Sequence, residues 1–114
     1  MKKGAELIFV ITNDGWWKNT PGYRQHLSFA RLRAIETRRS VARSANTGIS
    51  AFINQRGDLI QTTGWWEEAA IKSTLKRNEK MTFYVKYGDY IARISVFVSV
   101  LLILFLFVRK KTLK

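Results

Sequence analysis

The chain has 114 residues, 20 Lys and Arg against 8 Asp and Glu, a net charge of +12, one His and no Cys. That length supports one modest domain. The missing Cys excludes disulfides, thiolate metal sites and a thiol nucleophile, and His26 alone cannot build a zinc cluster. The sequence therefore assigns no catalytic residue, metal or cofactor. The charge calls for an anionic partner, either nucleic acid or the anionic leaflet of a membrane.

After Lys2 and Lys3 comes the apolar run Leu7-Ile8-Phe9-Val10-Ile11. It is too short for a signal peptide, and polar Thr12-Asn13-Asp14 follow where small cleavage-site residues belong. The β-branched content predicts a buried strand, one that wants neighbours on both sides. Asn13 to Asn19 is rich in turn formers and predicts a loop.

Thr20-Pro21 predicts a helix start, with Thr as the cap and Pro at the first helical position. Leu27, Ala30 and Ala34 recur at helical spacing, with Ile35 beside them, so a helix is expected over about residues 22–38. Arg24, Arg31, Arg33, Arg38 and Arg39 are placed on its other faces, against one acid, Glu36. A structural ion pair between Glu36 and Arg43 is expected, and His26 is read as a packing residue at the helix start.

Val41 to Ala45 and Ile49 to Ile53 predict short strands around Asn46-Thr47-Gly48. Asn54-Gln55-Arg56-Gly57 predicts a turn and Leu59 to Thr62 a returning strand. Strand, helix and three further strands make an α/β or α+β domain with a mixed sheet. Residues 64–89 predict an irregular or extended connection, with Trp65-Trp66 covering the sheet or lying on a membrane surface.

Ile94 to Val108 is apolar except for Ser95 and Ser99. Extended back to Tyr90, the segment spans roughly 28 Å as a helix, close to a bilayer core. Arg93 can snorkel to the interface and Tyr87 and Tyr90 fit an aromatic belt. The competing assignment, a buried core helix, fits poorly with a run apolar on every face. Residues 90–108 are thus read as a transmembrane helix and 109–114 as a basic cytoplasmic tail. Arg109-Lys110-Lys111 places that end inside and residues 1–89 outside. No export device accompanies that orientation, and the first strand lacks partners. Both features predict a C-terminal piece of a longer polytopic protein, with Met1 an internal start or a truncated gene boundary.

Gly4 to Trp17, then Gln25-His26-Leu27, Arg31 to Glu36, and Arg43-Ser44-Ala45-Asn46-Thr47-Gly48 resemble, in order, the segments after the nucleophile in the nitrilase, or carbon–nitrogen hydrolase, superfamily. Within it the pattern is similar to the bacterial apolipoprotein N-acyltransferases, whose C-terminal end is matched by Thr82-Phe83-Tyr84 and Gly88-Asp89 before the last helix. The resemblance covers essentially the whole chain. It implies a partial αββα sandwich of mixed sheets followed by one C-terminal transmembrane helix, on the periplasmic face of a bacterial inner membrane. It also implies acyl transfer from a membrane phospholipid, through a cysteine thiol, to the N-terminal amine of a lipoprotein, with a Glu, a Lys and a Cys as catalytic set. All three lie upstream of the matched segments, so the chain by itself is expected to be inactive, with the N-terminal part of such an enzyme as a partner. Asn13, Asp14 and Trp16 match the loop that shapes the acyl and lipid entrance, and Asn46 a strand end near the site. For Trp16 and Trp17 plain packing is an equal alternative, and for Asn46 a turn role before Thr47-Gly48.

Three other functions compete. A nucleic-acid binder would explain the Arg-rich helix, but no binding module is present and the anchor argues against it. A non-enzymatic basic protein held on the membrane by residues 91–108 would need no catalytic set. An amidase using Ser44 or Ser50 would lack a matched base and cation.

Overall fold

The computed structural model describes residues 1–112. Strand β1 (Leu7–Asn13) leads through a single 3-10 turn at Asp14–Trp17 to helix α1 (Gly22–Thr37). Three strands follow, β2 (Ser40–Asn46), β3 (Ala51–Ile53) and β4 (Leu59–Thr62), then a short helix α2 (Phe83–Tyr87) and a long helix α3 (Tyr90–Thr112). The four strands form one mixed sheet in the order β1-β2-β3-β4. β1 and β2 are parallel, joined through α1, while β3 and β4 are antiparallel additions.

α1 begins as its sequence requires. Pro21 already has helical angles, its carbonyl accepts from the Gln25 N–H, and the Thr20 hydroxyl accepts from the Gly22 N–H at 3.4 Å. Tyr23, Leu27, Ala30 and Ala34 make its buried stripe. Leu27, Ala30 and Ala34 meet Val41, Ala51 and Ile53 in the core, with Ile8, Val10 and Ile49 partly buried against it. Each of the larger aliphatics contributes about 1.5–3 kcal/mol by leaving water. The three alanines let α1 lie close to the sheet.

Arg39 is not on a helix face. α1 ends at Arg38, which is left-handed (φ 51, ψ 41), and Arg39 follows it almost fully buried. Its Nε donates to Ala5 O at 2.9 Å, and its Nη1 donates to Thr37 O at 3.1 Å and Lys80 O at 2.9 Å. Two further carbonyls at this helix end also find side-chain donors. Thr82 Oγ1 donates to Glu36 O at 2.6 Å and Asn78 Nδ2 to Arg38 O at 2.7 Å. Residues 63–82 contain no helix or strand, and these bonds strap their last part across the end of α1. Thr82 Oγ1 also accepts from the Val85 N–H at 3.1 Å, so one hydroxyl caps α2 and fixes it to α1.

β1 was expected to be buried and central. Among the described residues it lies instead at the sheet edge, paired with β2 alone. Ile8 and Val10 face α1, but on the opposite face Phe9 is 73% and Ile11 89% exposed. The face away from α1 is uncovered at that edge, because one helix layer covers only one side of a sheet. An open groove lined by Phe9, Ile11, Ala42, Phe52 and Ile71 runs across it.

Among the described residues, Tyr90–Lys110 is the one stretch of helix long and apolar enough to cross a membrane, and none of it is buried against the rest of the chain. Asp89 caps α3 by accepting from the Ala92 N–H at 3.0 Å. Phe83, Tyr87 and Tyr90 cluster at its start, with ring centroids 4.4 and 4.9 Å apart. The helix continues through Arg109 and Lys110 to Thr112, so the basic segment expected as a separate tail is partly helical. Residues 113 and 114 of that tail lie outside the described residues.

Candidate functional site

Parallel β1 and β2 end in register, Asn13 opposite Asn46. The two asparagines that the family resemblance singles out are therefore neighbours. Strand alternation puts both on the uncovered face, with Phe9 and Ile11. Asn13 Oδ1 accepts from the Gly15 N–H at 3.1 Å and so caps the 3-10 turn.

Asp14 turns the other way, into the layer between sheet and α1, where it is fully buried. Its Oδ2 accepts from Arg43 Nη2 at 2.5 Å, and its Oδ1 from the Thr12 hydroxyl at 3.1 Å. His26 Nδ1 lies 2.9 Å from Oδ1. A carboxylate can only accept, so Nδ1 carries the proton there. The 3.4 Å approach of Arg43 Nη2 to the same nitrogen is then a contact between two donors. Burial by itself pushes the Asp14 carboxyl up; the His26 hydrogen bond, the Arg43 charge and the Arg43 and Thr12 hydrogen bonds outweigh it and hold the group below its ordinary value. Arg43 also donates from Nε to Ile49 O at 3.2 Å. Its buried Nη1 has no hydrogen-bond partner among the described residues.

The pairing expected between Glu36 and Arg43 does not occur. Glu36 sits on the outer side of α1 and pairs with Arg33 at 2.6 Å, while Arg43 points from mid-β2 to Asp14. His26 is likewise more than a packing residue, because it ties α1 to the loop after β1. Sequence reasoning missed both His26 and Arg43 here. No signal in the sequence gave them away, because Asp14 reads as a turn residue until its burial shows that it needs a paired cation.

Gly48 closes the cluster. A Cβ there would lie 2.7 Å from Asp14 Cβ and 2.8 Å from its Cγ, so only Gly lets the loop after β2 pass over Asp14. Around this fixed centre the tryptophans diverge. Trp17 lies over Gly22 at the helix start, whereas Trp16 is 84% exposed. Trp65 stacks on Tyr23 with centroids 4.0 Å apart, covering α1 rather than the sheet. The Trp66 N–H donates to Thr47 O at 3.0 Å, which brings a third exposed indole beside the ends of β1 and β2. An open cleft there is lined by Asn46, Thr47, Ser50, Thr63, Trp66 and Glu67.

The family model for carbon–nitrogen hydrolases matches residues 1–80. The chain belongs to the carbon–nitrogen hydrolase family. Proteins similar to this chain include several named apolipoprotein N-acyltransferase. That of Chlorobaculum tepidum is 33% identical over 111 residues, 97% of this chain and 21% of the relative. That of Thermotoga maritima is 35% identical over 100 residues, 88% of this chain and 20% of the relative. That of Bradyrhizobium diazoefficiens is 41% identical over 95 residues, 83% of this chain and 18% of the relative. The chain thus spans about a fifth of the length of these relatives. The mixed sheet with its helix layer is the carbon–nitrogen hydrolase fold expected from the sequence, and among the described residues one apolar helix follows it.

Proposed function

We propose that this chain is the C-terminal part of an apolipoprotein N-acyltransferase. Such an enzyme moves an acyl chain from a membrane phospholipid to the N-terminal amine of a lipoprotein cysteine. The observation that carries this reading is the similarity to proteins of that name along nearly the whole chain, together with the apolar helix α3 that follows the domain.

In this reading residues 1–89 supply scaffold, 90–108 the anchor and 109–114 a basic tail. The chain brings no cysteine, so a thioester cannot form on it, and by itself it transfers nothing. Its partner is the N-terminal part of the same enzyme, which carries the nucleophile and packs on the uncovered sheet face at Phe9 and Ile11. The domain lies on the periplasmic side of the inner membrane, with the cationic end of α3 in the cytoplasm. Asn13, Trp16 and Asn46 line the approach to the reacting centre, at the carboxyl ends of parallel strands where ligands bind in open α/β sheets. Asp14 acts indirectly. Held by Arg43, His26 and Thr12, it fixes the loop that presents Trp16.

The test is a graft. Residues 1–114 replace the matching C-terminal segment of the Chlorobaculum tepidum enzyme, and N-acylation of a diacylated lipopeptide is followed. The proposal expects the hybrid to form triacylated product. A folded, membrane-inserted hybrid that makes none contradicts it.

A further inference from the structure

α1 carries a second apolar surface. At about 100° per residue, Phe29 and Leu32 point away from the stripe Tyr23, Leu27, Ala30 and Ala34. They are 61% and 44% exposed. Arg24 and Arg31 flank them on one side and Arg33 on the other. Arg31 Nε is tied to Gly57 O at 2.7 Å and Arg33 to Glu36 at 2.6 Å, which holds both guanidinium groups at the rim. Gln25 and Glu36 lie on the same side of the helix, Glu36 pairing with Arg33, so the apolar pair is set among polar groups; aliphatic and aromatic groups beneath guanidinium groups suit a membrane interface.

The same surface is physically continuous with the anchor. Thr82 bonds α2 to the last turn of α1, and α2 carries exposed Phe83 and Tyr87 directly ahead of α3. These rings have the amphipathic character that favours the bilayer interface. We infer that the outer face of α1, centred on Phe29 and Leu32, rests on the surface of an anionic bilayer and so holds the domain down beside its own membrane-spanning helix. The charge favours this occupant over a second copy of the chain, since two chains of net charge +12 repel each other, whereas phosphatidylglycerol headgroups attract Arg24 and Arg31. The inference rests on α3 crossing the bilayer.

The absence of native Cys makes a clean experiment. Leu32→Cys, Val98→Cys and Lys72→Cys are each labelled with an environment-sensitive fluorophore in the full chain. Each is reconstituted into phosphatidylcholine vesicles with or without phosphatidylglycerol. Val98 reports on α3 and Lys72 on a surface away from the proposed contact. The label at 32 is expected to shift to the blue and resist an aqueous quencher when phosphatidylglycerol is present, while the label at 72 stays quenchable. Arg24→Gln combined with Arg33→Gln is expected to weaken that docking equilibrium about thirtyfold, with circular dichroism unchanged. A buried label at 98 with a fully quenchable label at 32 overturns this inference and leaves the anchor standing. Exposure at both overturns both. Protection at 32 that scales with protein concentration at fixed lipid marks a second copy and overturns it too.

Discussion

Arg43 Nη2 meets Asp14 Oδ2 at 2.5 Å, and both side chains are completely shielded from solvent. The pair joins the middle of β2 to the loop after β1, across 29 residues of chain. Removing one member of a buried pair leaves the other charge uncompensated, at a cost of about 3–5 kcal/mol. For a domain with so small a core that is a large part of the total stability. Arg43→Ala is therefore expected to lower the unfolding free energy of the full chain in detergent micelles by that amount, from urea titration followed by tryptophan fluorescence. A loss below about 1 kcal/mol would contradict the role given to the pair.

The same carboxyl dictates how stability responds to acid. The folded state holds Asp14 below its ordinary value. Its stabilisation is therefore fully present above the unfolded value of about 3.9 and disappears as pH falls from there through the lower folded value. The urea midpoint should drop as pH falls below about 4, and Asp14→Asn should be less stable at pH 7 yet show a shallower drop. Parallel profiles for the two proteins would remove Asp14 as the source.

Gly48→Ala puts a methyl group against Asp14. Overpacking of this kind costs about 1–3 kcal/mol. The disturbance should be local, speeding amide exchange at Ala45, whose N–H donates to Ser50 Oγ at 3.1 Å, and at Trp66, bonded to Thr47. Unchanged exchange at both amides would mean that the loop after β2 is not held down on Asp14.

Phe9→Ser and Ile11→Ser address the uncovered sheet face. Both side chains are largely exposed, so in the chain by itself each change should stay within about 0.5 kcal/mol, the usual range for surface positions. When the chain is co-expressed with the N-terminal part of the Chlorobaculum tepidum enzyme, the same two changes should abolish co-purification. Large destabilisation of the chain alone, or undiminished co-purification, would argue that this face does not receive the partner.

Local pattern accounts for what could be read ahead of the structure. The inner stripe of α1 follows from the 3.6-residue period of Leu27, Ala30 and Ala34, and α3 from sheer apolar length. The Asn54 to Gly57 turn follows from its composition, with Gly57 at φ +85. The arginines were illegible because a cation in sequence reads as solvent-facing, and burial of Arg39 and Arg43 depends on acceptors far along the chain. Asp14 likewise reads as a solvated turn residue until β2 and α1 close over it. β1 looked buried on both faces since its apolar residues do not alternate, yet only one face is covered here. Asn13 and Asn46 were each singled out by family pattern alone, and strand register is what makes them neighbours.

Purified full-length chain, reconstituted with phospholipid and offered a diacylated lipopeptide, tests most directly whether the chemistry resides elsewhere. No triacylated product should appear with the chain alone, and product should appear when the N-terminal part of the Chlorobaculum tepidum enzyme is supplied with it. Transfer by the chain alone, abolished by none of the substitutions that empty its partner face, would contradict the account.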